Sequence, residues 1–173
     1  MRTALVHGCL LGLSLFICLL GLHAIGLHAD PSKVRVMQMV ESLLSYIFLM
    51  AALLACLRRL QNADLDNPLG YAKALGHGAL LALTGGLVLG LGHWVYGTFI
   101  NPGYRDILRE ALLTGVNLTP EQLAIAEPDI QFITSPTGIA IGQGVPLVAF
   151  GLLMSLVVAI FFRRTALNTP ARG

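Results

Sequence analysis

The stretch HWVYGTFINPGYRDILRE, residues 93–110, carries an apolar run up to Ile100 and then changes character within four residues. Asn101-Pro102-Gly103 is a helix end, because proline pushes the residue before it out of the helical region and glycine tolerates a reversal of the chain. Beyond it Tyr104, Ile107, Leu108, Ala111 and Leu112 recur at helical spacing, with Arg105, Asp106, Arg109 and Glu110 between them. That is the pattern of a short amphipathic helix. Trp94, Tyr96 and Tyr104 are amphipathic rings suited to the lipid headgroup level. The stretch therefore reads as a sharp exit from a membrane at its outer interface, followed by a helix that rests on the surface or caps a bundle.

The rest of the chain agrees with a membrane setting. Of 173 residues 55% are apolar and 12% are charged, about half the charge of an ordinary soluble domain. Four runs reach the ~20 apolar residues that a helix needs to cross the hydrocarbon core: residues 4–27, 36–57, 74–100 and 137–162. Lipid offers no partner to an open backbone, so each run is expected to be helical. The first follows Arg2 but is far longer than the apolar core of a signal peptide and lacks a convincing small-x-small cleavage site, so it reads as a retained helix. The expected architecture is an all-α polytopic membrane protein, residues 1–173 forming one four-helix domain with a short helical periplasmic loop at residues 101–136. In that loop Thr119, Pro120 and Gln122 have capping-box spacing for a second short helix, expected to stop near Pro128.

Basic residues set the expected orientation. With the N-terminus inside, the cytoplasmic segments hold seven, Arg2, Arg58, Arg59, Lys73, Arg163, Arg164 and Arg172, and the outer segments hold four, Lys33, Arg35, Arg105 and Arg109. Both termini are thus expected on the cytoplasmic side of the membrane. The outer loop has a net charge of −3, and the basic residues gather on no single face, so a nucleic-acid partner is not expected. The arginine pairs at 58–59 and 163–164 also invite a headgroup-phosphate reading, although topology accounts for them. Asp64 and Asp66, before Asn67-Pro68, read as a solvated turn.

Three polar residues fall within the runs at one depth. Counting 1.5 Å per residue from the outer ends, Glu41 lies about 8 Å down, His93 about 10 Å and Gln143 about 9 Å. An ionisable group at that depth is expensive and normally faces a partner inside the bundle. The expectation is a Glu41–His93 hydrogen bond or ion pair, completed by Gln143 and by Ser42 or Ser45. It serves either as a fixed clasp that sets helix register or as a proton or ligand site. Glycines recur one helical turn apart at Gly8/Gly12, Gly86/Gly90 and Gly138/Gly142, with five glycines between Gly78 and Gly92. Small residues at this spacing let helix backbones approach closely in lipid, which places the third helix at the bundle centre. A helix of another chain is the rival partner for those faces.

Cys9, Cys18 and Cys56 sit inside apolar runs without metal-ligand spacing, so neither a metal nor a cofactor is expected. No G-x-S-x-G, H-E-x-x-H or phosphate-cradling glycine loop is present in the sequence.

The segments MVESLLSY, NPLGYAKALGHGAL, GTFINPGY and LVVAIFFRR, in this order across nearly the whole chain, resemble the bacterial membrane family called domain of unknown function 4199. That family's recurring Asn-Pro pair, its Lys before the third helix and its closing Arg pair match Asn101, Pro102, Lys73, Arg163 and Arg164. Gly103 stands where the family usually has an acid. The resemblance implies a bacterial cytoplasmic-membrane protein of unestablished activity. Three classes remain open from the sequence. The first is an accessory or assembly subunit of a membrane or envelope complex, with membrane lipid and a membrane-protein partner or a second copy as its contacts. The second is a small transporter or proton-coupled carrier using the Glu41/His93 site, and the third is a membrane-embedded lipid-modifying enzyme.

Overall fold

The computed structural model describes residues 1–63, 69–114 and 116–162. Asp64, Asp66, Asn67 and Pro68, and the closing arginines Arg163, Arg164 and Arg172, lie outside the described residues. The described chain is helical: α1 Arg2–Ala24, α2 Val34–Ala63, α3 Tyr71–Val95, α4 Tyr104–Leu113, α5 Pro120–Thr134 and α6 Pro136–Phe162. Helices α1, α2, α3 with its extension, and α6 are long and apolar enough to cross a membrane. Leu10, Leu13, Ile17, Met39, Leu43, Leu87, Leu91, Val145 and Leu153 point out of the protein, as lipid-facing side chains would.

Helix α3 is central, packed most extensively on α6 and next on α1. The glycines explain how. A Cβ on Gly8 would lie 2.7 Å from the Leu81 carbonyl oxygen, one on Gly86 would lie 2.8 Å from that of Gly144, and one on Gly144 the same distance from that of Gly86. Backbones therefore touch at α1–α3 and α3–α6, and any larger side chain must push them apart. The stripe that α6 presents is Ala140 and Gly144, while Gly142 has nothing within 4 Å and faces outward. Gly138 is packed against the Phe132 carbonyl and the Ile133 backbone in the last turn of α5. The two glycines of the 138/142 pair are thus divided between a turn and an open face.

Two helix ends differ from the sequence expectation. Helix α5 keeps its capping box, with Thr119 Oγ1 accepting from the Gln122 amide and Gln122 Oε1 accepting from the Thr119 amide, but it continues through Pro128 to Thr134. Proline inside a helix loses one hydrogen bond and crowds the preceding turn, a cost of about 3 kcal/mol. Burial of Ile130 and Thr134 beyond it, where α5 meets α6, favours continuation. At the exit from α3 the reversal belongs to Asn101, at φ −136° and ψ 72°, and Gly103 stays right-handed at φ −71° as the first residue before α4. The one left-handed glycine among the described residues is Gly26, at φ 78°, just after α1.

Helices α4 and α5 form the cap. Arg109 Nη2 donates to Glu127 Oε2 at 2.8 Å, and the Gln131 amide donates to Glu127 Oε1 at 3.0 Å. The Gln131 bond first, and the Arg109 bond with it, hold the Glu127 carboxyl below its ordinary value of 4.5. A lowered carboxyl stabilises the folded state above the unfolded value and loses that contribution as pH falls through the folded value. Amide hydrogen exchange in α4 and α5 is therefore expected to quicken as pH falls below about 4.5 in the wild type, after correction for the intrinsic rate, and to show no such step in Glu127→Gln. A wild-type profile matching the variant's would remove the clasp from the account.

Packing makes a second expectation. Gly86→Leu and Gly90→Leu each force α3 and α6 apart at a cost of about 1–3 kcal/mol, lowering yield and melting temperature in detergent, whereas Gly142→Leu leaves both unchanged. Equal behaviour of all three variants would mean that the α3–α6 backbones do not touch.

Candidate functional site

At the capped end of the bundle, α3 passes into one π-helical turn, Tyr96–Ile100, which closes with the Asn101 amide donating to the Tyr96 carbonyl at 2.8 Å. A π turn inserts one residue into a helix, so the residues beyond it are rotated by about 100° from the register that α-helical spacing gives, and such turns are frequent at functional sites. Here the same two residues are joined a second time, because Asn101 Nδ2 donates to the Tyr96 hydroxyl at 2.9 Å. Tyr96 is wholly buried.

That hydroxyl is the hub of a cluster drawn from several elements. It also meets His28 Nδ1 at 2.6 Å and His23 Nδ1 at 2.9 Å. His23 ends α1, and His28 sits in the loop after Gly26, held wholly out of solvent by the aromatic rings around it. The Tyr104 ring of α4 stacks on His28 with 4.9 Å between centroids and 14° between planes. Burial pushes the Tyr104 phenol above its ordinary range, so it keeps its proton and donates to Met37 Sδ at 3.4 Å.

On its other side His28 faces α2. Its Nε2 lies 3.5 Å from Glu41 Oε1, an ion-pair distance that is long for a hydrogen bond, and the Glu41 side chain is 10% exposed. Both atoms are buried without a hydrogen-bond partner, as is His93 Nε2. The other nitrogen of His93, Nδ1, donates to the Leu89 carbonyl at 3.2 Å, which leaves Nε2 of the neutral ring an acceptor.

Glu41 and His93 line a common cavity of about 10 Å³ with Ser45, Gln143 and a wall of leucines. It is about the size of one water molecule, whose hydrogens could serve two acceptors. Of the residues expected from the sequence, Glu41, His93, Ser45 and Gln143 thus share one small space, while Ser42 lies on the exposed face of α2. The ring at ion-pair distance from the Glu41 carboxyl is that of His28 rather than His93.

Sequence reasoning passed over His23 and His28, and it read Tyr96 and Tyr104 as interfacial rings and Asn101 as a helix end. Trp94 does lie at the surface, 38% exposed against Phe99, but Tyr96 and Tyr104 are core residues and not part of an interfacial belt. A signal was there to be read: two histidines five apart close an apolar run in LHAIGLH, where a titratable side chain deserves the scrutiny given to Glu41. Among the described residues no group of three or more His, Cys, Asp or Glu side chains is placed to hold a metal ion.

Below the cluster the bundle turns apolar, with Leu11, Leu15, Leu49, Leu53, Leu81, Leu89 and Leu147 filling its middle. The polar groups therefore open toward the capped end and meet a hydrocarbon floor. No curated protein and no solved structure matches the chain. A family profile described as "Protein of unknown function (DUF4199)" matches residues 7–164, nearly the whole chain from within α1 to past the end of α6, and the protein belongs to that family.

Proposed function

We propose that this chain is a small proton-coupled protein of a bacterial inner membrane, with the Glu41 cluster as its working element. The observation that supports this is the buried pairing of Glu41 with His28, next to His93 and under Tyr96. A carboxylate at this depth is stable only with a partner, and an imidazole is a side chain able to give it a proton or take one. Titratable groups gathered in one enclosed place mark a candidate functional site. Gain or loss of a proton on Glu41 changes the charge held between α1, α2, α3 and α4, and so couples pH at the capped end to helix position.

The orientation in this proposal places both termini in the cytoplasm and the α4–α5 cap in the periplasm, on the seven-to-four asymmetry of basic residues. A Thr119→Cys variant lacking the three native cysteines is expected to react with an impermeant thiol reagent in intact spheroplasts. Reaction only after lysis would invert the topology.

A specific feature also favours an accessory or assembly role. Gly86, Gly90, Ala140 and Gly144, with Leu87, Leu91 and Val145, line an outward-facing apolar groove of about 620 Å³ on the α3–α6 seam. The glycines at its floor are taken up by the α3–α6 contact, so a partner helix would lie against the exposed Leu87, Leu91, Ile141 and Val145 at its rim. Native mass spectrometry of gently solubilised protein would show a stoichiometric protein partner on this reading.

The single tryptophan, Trp94, is adjacent to His93 and serves as a built-in reporter. Trp94 fluorescence of the wild type in nanodiscs is expected to show a transition as the pH is lowered, and Glu41→Gln, which keeps shape but removes the charge, is expected to abolish that transition while folding normally. A flat wild-type signal, or a transition that survives in Glu41→Gln, would reduce the cluster to a static clasp.

A further inference from the structure

Resting on that reading of the Glu41 site, we propose that His23, Tyr96 and His28 form a relay that delivers one proton from the capped surface to the Glu41 carboxyl. The argument is a count of hydrogens. The Tyr96 hydroxyl has one hydrogen and two lone pairs, and three nitrogen atoms surround it: Asn101 Nδ2, His23 Nδ1 and His28 Nδ1. The Asn101 amide can only donate, so it takes one lone pair. One histidine must then donate to the remaining lone pair while the other accepts the hydroxyl hydrogen.

Glu41 decides which. When it is ionised, His28 must present a hydrogen at Nε2, since a bare lone pair 3.5 Å from a carboxylate oxygen is repelled. His28 Nδ1 is then the acceptor of the Tyr96 hydrogen across 2.6 Å, and His23 Nδ1 donates to Tyr96 across 2.9 Å. When Glu41 is protonated its own O–H points to His28 Nε2. The hydrogen of His28 moves to Nδ1, which donates to Tyr96, and Tyr96 donates to His23 Nδ1. Both arrangements satisfy every atom of the chain on the same heavy-atom frame, apart from a small rotation of the Glu41 carboxyl that brings the 3.5 Å gap to hydrogen-bond length.

The two arrangements differ by one proton, and passing between them is the relay. A proton taken up at Nε2 of the half-buried His23 releases the hydrogen on its Nδ1 to the Tyr96 oxygen. Tyr96 passes its own hydrogen to His28 Nδ1, and His28 passes the one on Nε2 to Glu41 Oε1. Four bonds to hydrogen form, at His23 Nε2, Tyr96 Oη, His28 Nδ1 and Glu41 Oε1. Three break, at His23 Nδ1, Tyr96 Oη and His28 Nε2, and the difference is the proton taken up. The cluster changes from one negative charge to none.

The other groups that face Glu41 are His93 from α3 and the uncharged Ser45 and Gln143, with Cys18 of α1 along the same cavity. The Tyr104 ring covers His28 from α4, its hydrogen already given to Met37. Among the described residues the Tyr96 hydroxyl is hydrogen-bonded to Asn101, His23 and His28 and to none of these groups.

The test reads histidine tautomers by nitrogen-15 magnetic resonance of the full chain in nanodiscs, with the five histidines assigned through single variants. At a pH where Glu41 is ionised His28 is expected to carry its hydrogen on Nε2, on acidification to carry it on Nδ1, and in Glu41→Gln to keep Nε2–H throughout. A His28 that is Nδ1–H at every pH, or protonated on both nitrogens at neutral pH, would overturn the relay. In pH-jump experiments read by Trp94, Tyr96→Phe and His23→Gln are expected to slow the response at least about tenfold. His23→Gln, altered at a half-buried position, guards against a folding defect in Tyr96→Phe. Variants as fast as the wild type, or a Trp94 response with His28 fixed as Nε2–H, would mean that Glu41 is protonated by another path, sinking the relay while sparing the proposed function. A Trp94 signal that does not titrate while the His28 hydrogen still exchanges would refute the proposed function and leave the relay standing.

Discussion

Gly86 and Gly144 bring the backbones of α3 and α6 into contact, as Gly8 and Gly12 do for α1 and α3, and the remaining structure depends on that approach. In lipid there is no hydrophobic gain in pressing one apolar helix on another, so association comes from close van der Waals fit. Glycine makes the fit possible by removing the side chain that would hold the axes apart. Once α3 is pinned between α1 and α6, its far end is fixed in position and in rotation, and His93 and Tyr96 have nowhere to point but inward.

The capped end is organised by a second constraint, satisfaction of buried polar atoms. An unpartnered polar group costs more in hydrocarbon than at a surface, so polar side chains near the end of a span collect around one another. Tyr96 shows the principle at one atom: three nitrogens from α1, the loop after it and the α3–α4 turn converge on its hydroxyl. The π turn that places it is closed by Asn101, and Asn101 also holds the hydroxyl. Local backbone geometry and long-range side-chain order are therefore carried by one residue, with Pro102 after it to keep the helix from continuing.

Such an arrangement has two sides with different physics. Toward the cap, Glu41 is linked through rings and hydroxyls to a half-buried histidine; toward the opposite end, it meets a floor of leucine side chains. In the relay proposed above the proton arrives from the capped side, and the middle of the bundle beyond Glu41 offers it leucine side chains. That asymmetry suits a site whose occupancy alters helix packing better than a wire across the membrane. The groove on the α3–α6 seam lies on the same central helix, so a change at Glu41 and a contact at the groove would act on one rigid element.

The four spans were legible in the sequence because hydropathy is a local property, and lipid leaves a long apolar run no option but a helix. The capping box at Thr119 and the end of α3 at Asn101 could be read for the same reason, being set by residues within one turn of each other. Glu41 and His93 could be singled out by depth alone, and the Gly86/Gly90 face by spacing. The tertiary structure decided what these residues meet. His28 looked like loop, and Tyr96 and Tyr104 looked like interfacial rings, because an amphipathic side chain suits a headgroup layer and a polar core equally well by composition. Hydropathy gives no sign of a π turn, which rotates the chain after Tyr96. The continuation of α5 through Pro128 was likewise settled by contacts with α6. Which partner Glu41 faces depends on helix rotation and on the path of a loop closed by Gly26 at positive φ. Those are relations between segments distant in sequence, fixed by packing and not by any run of neighbouring residues.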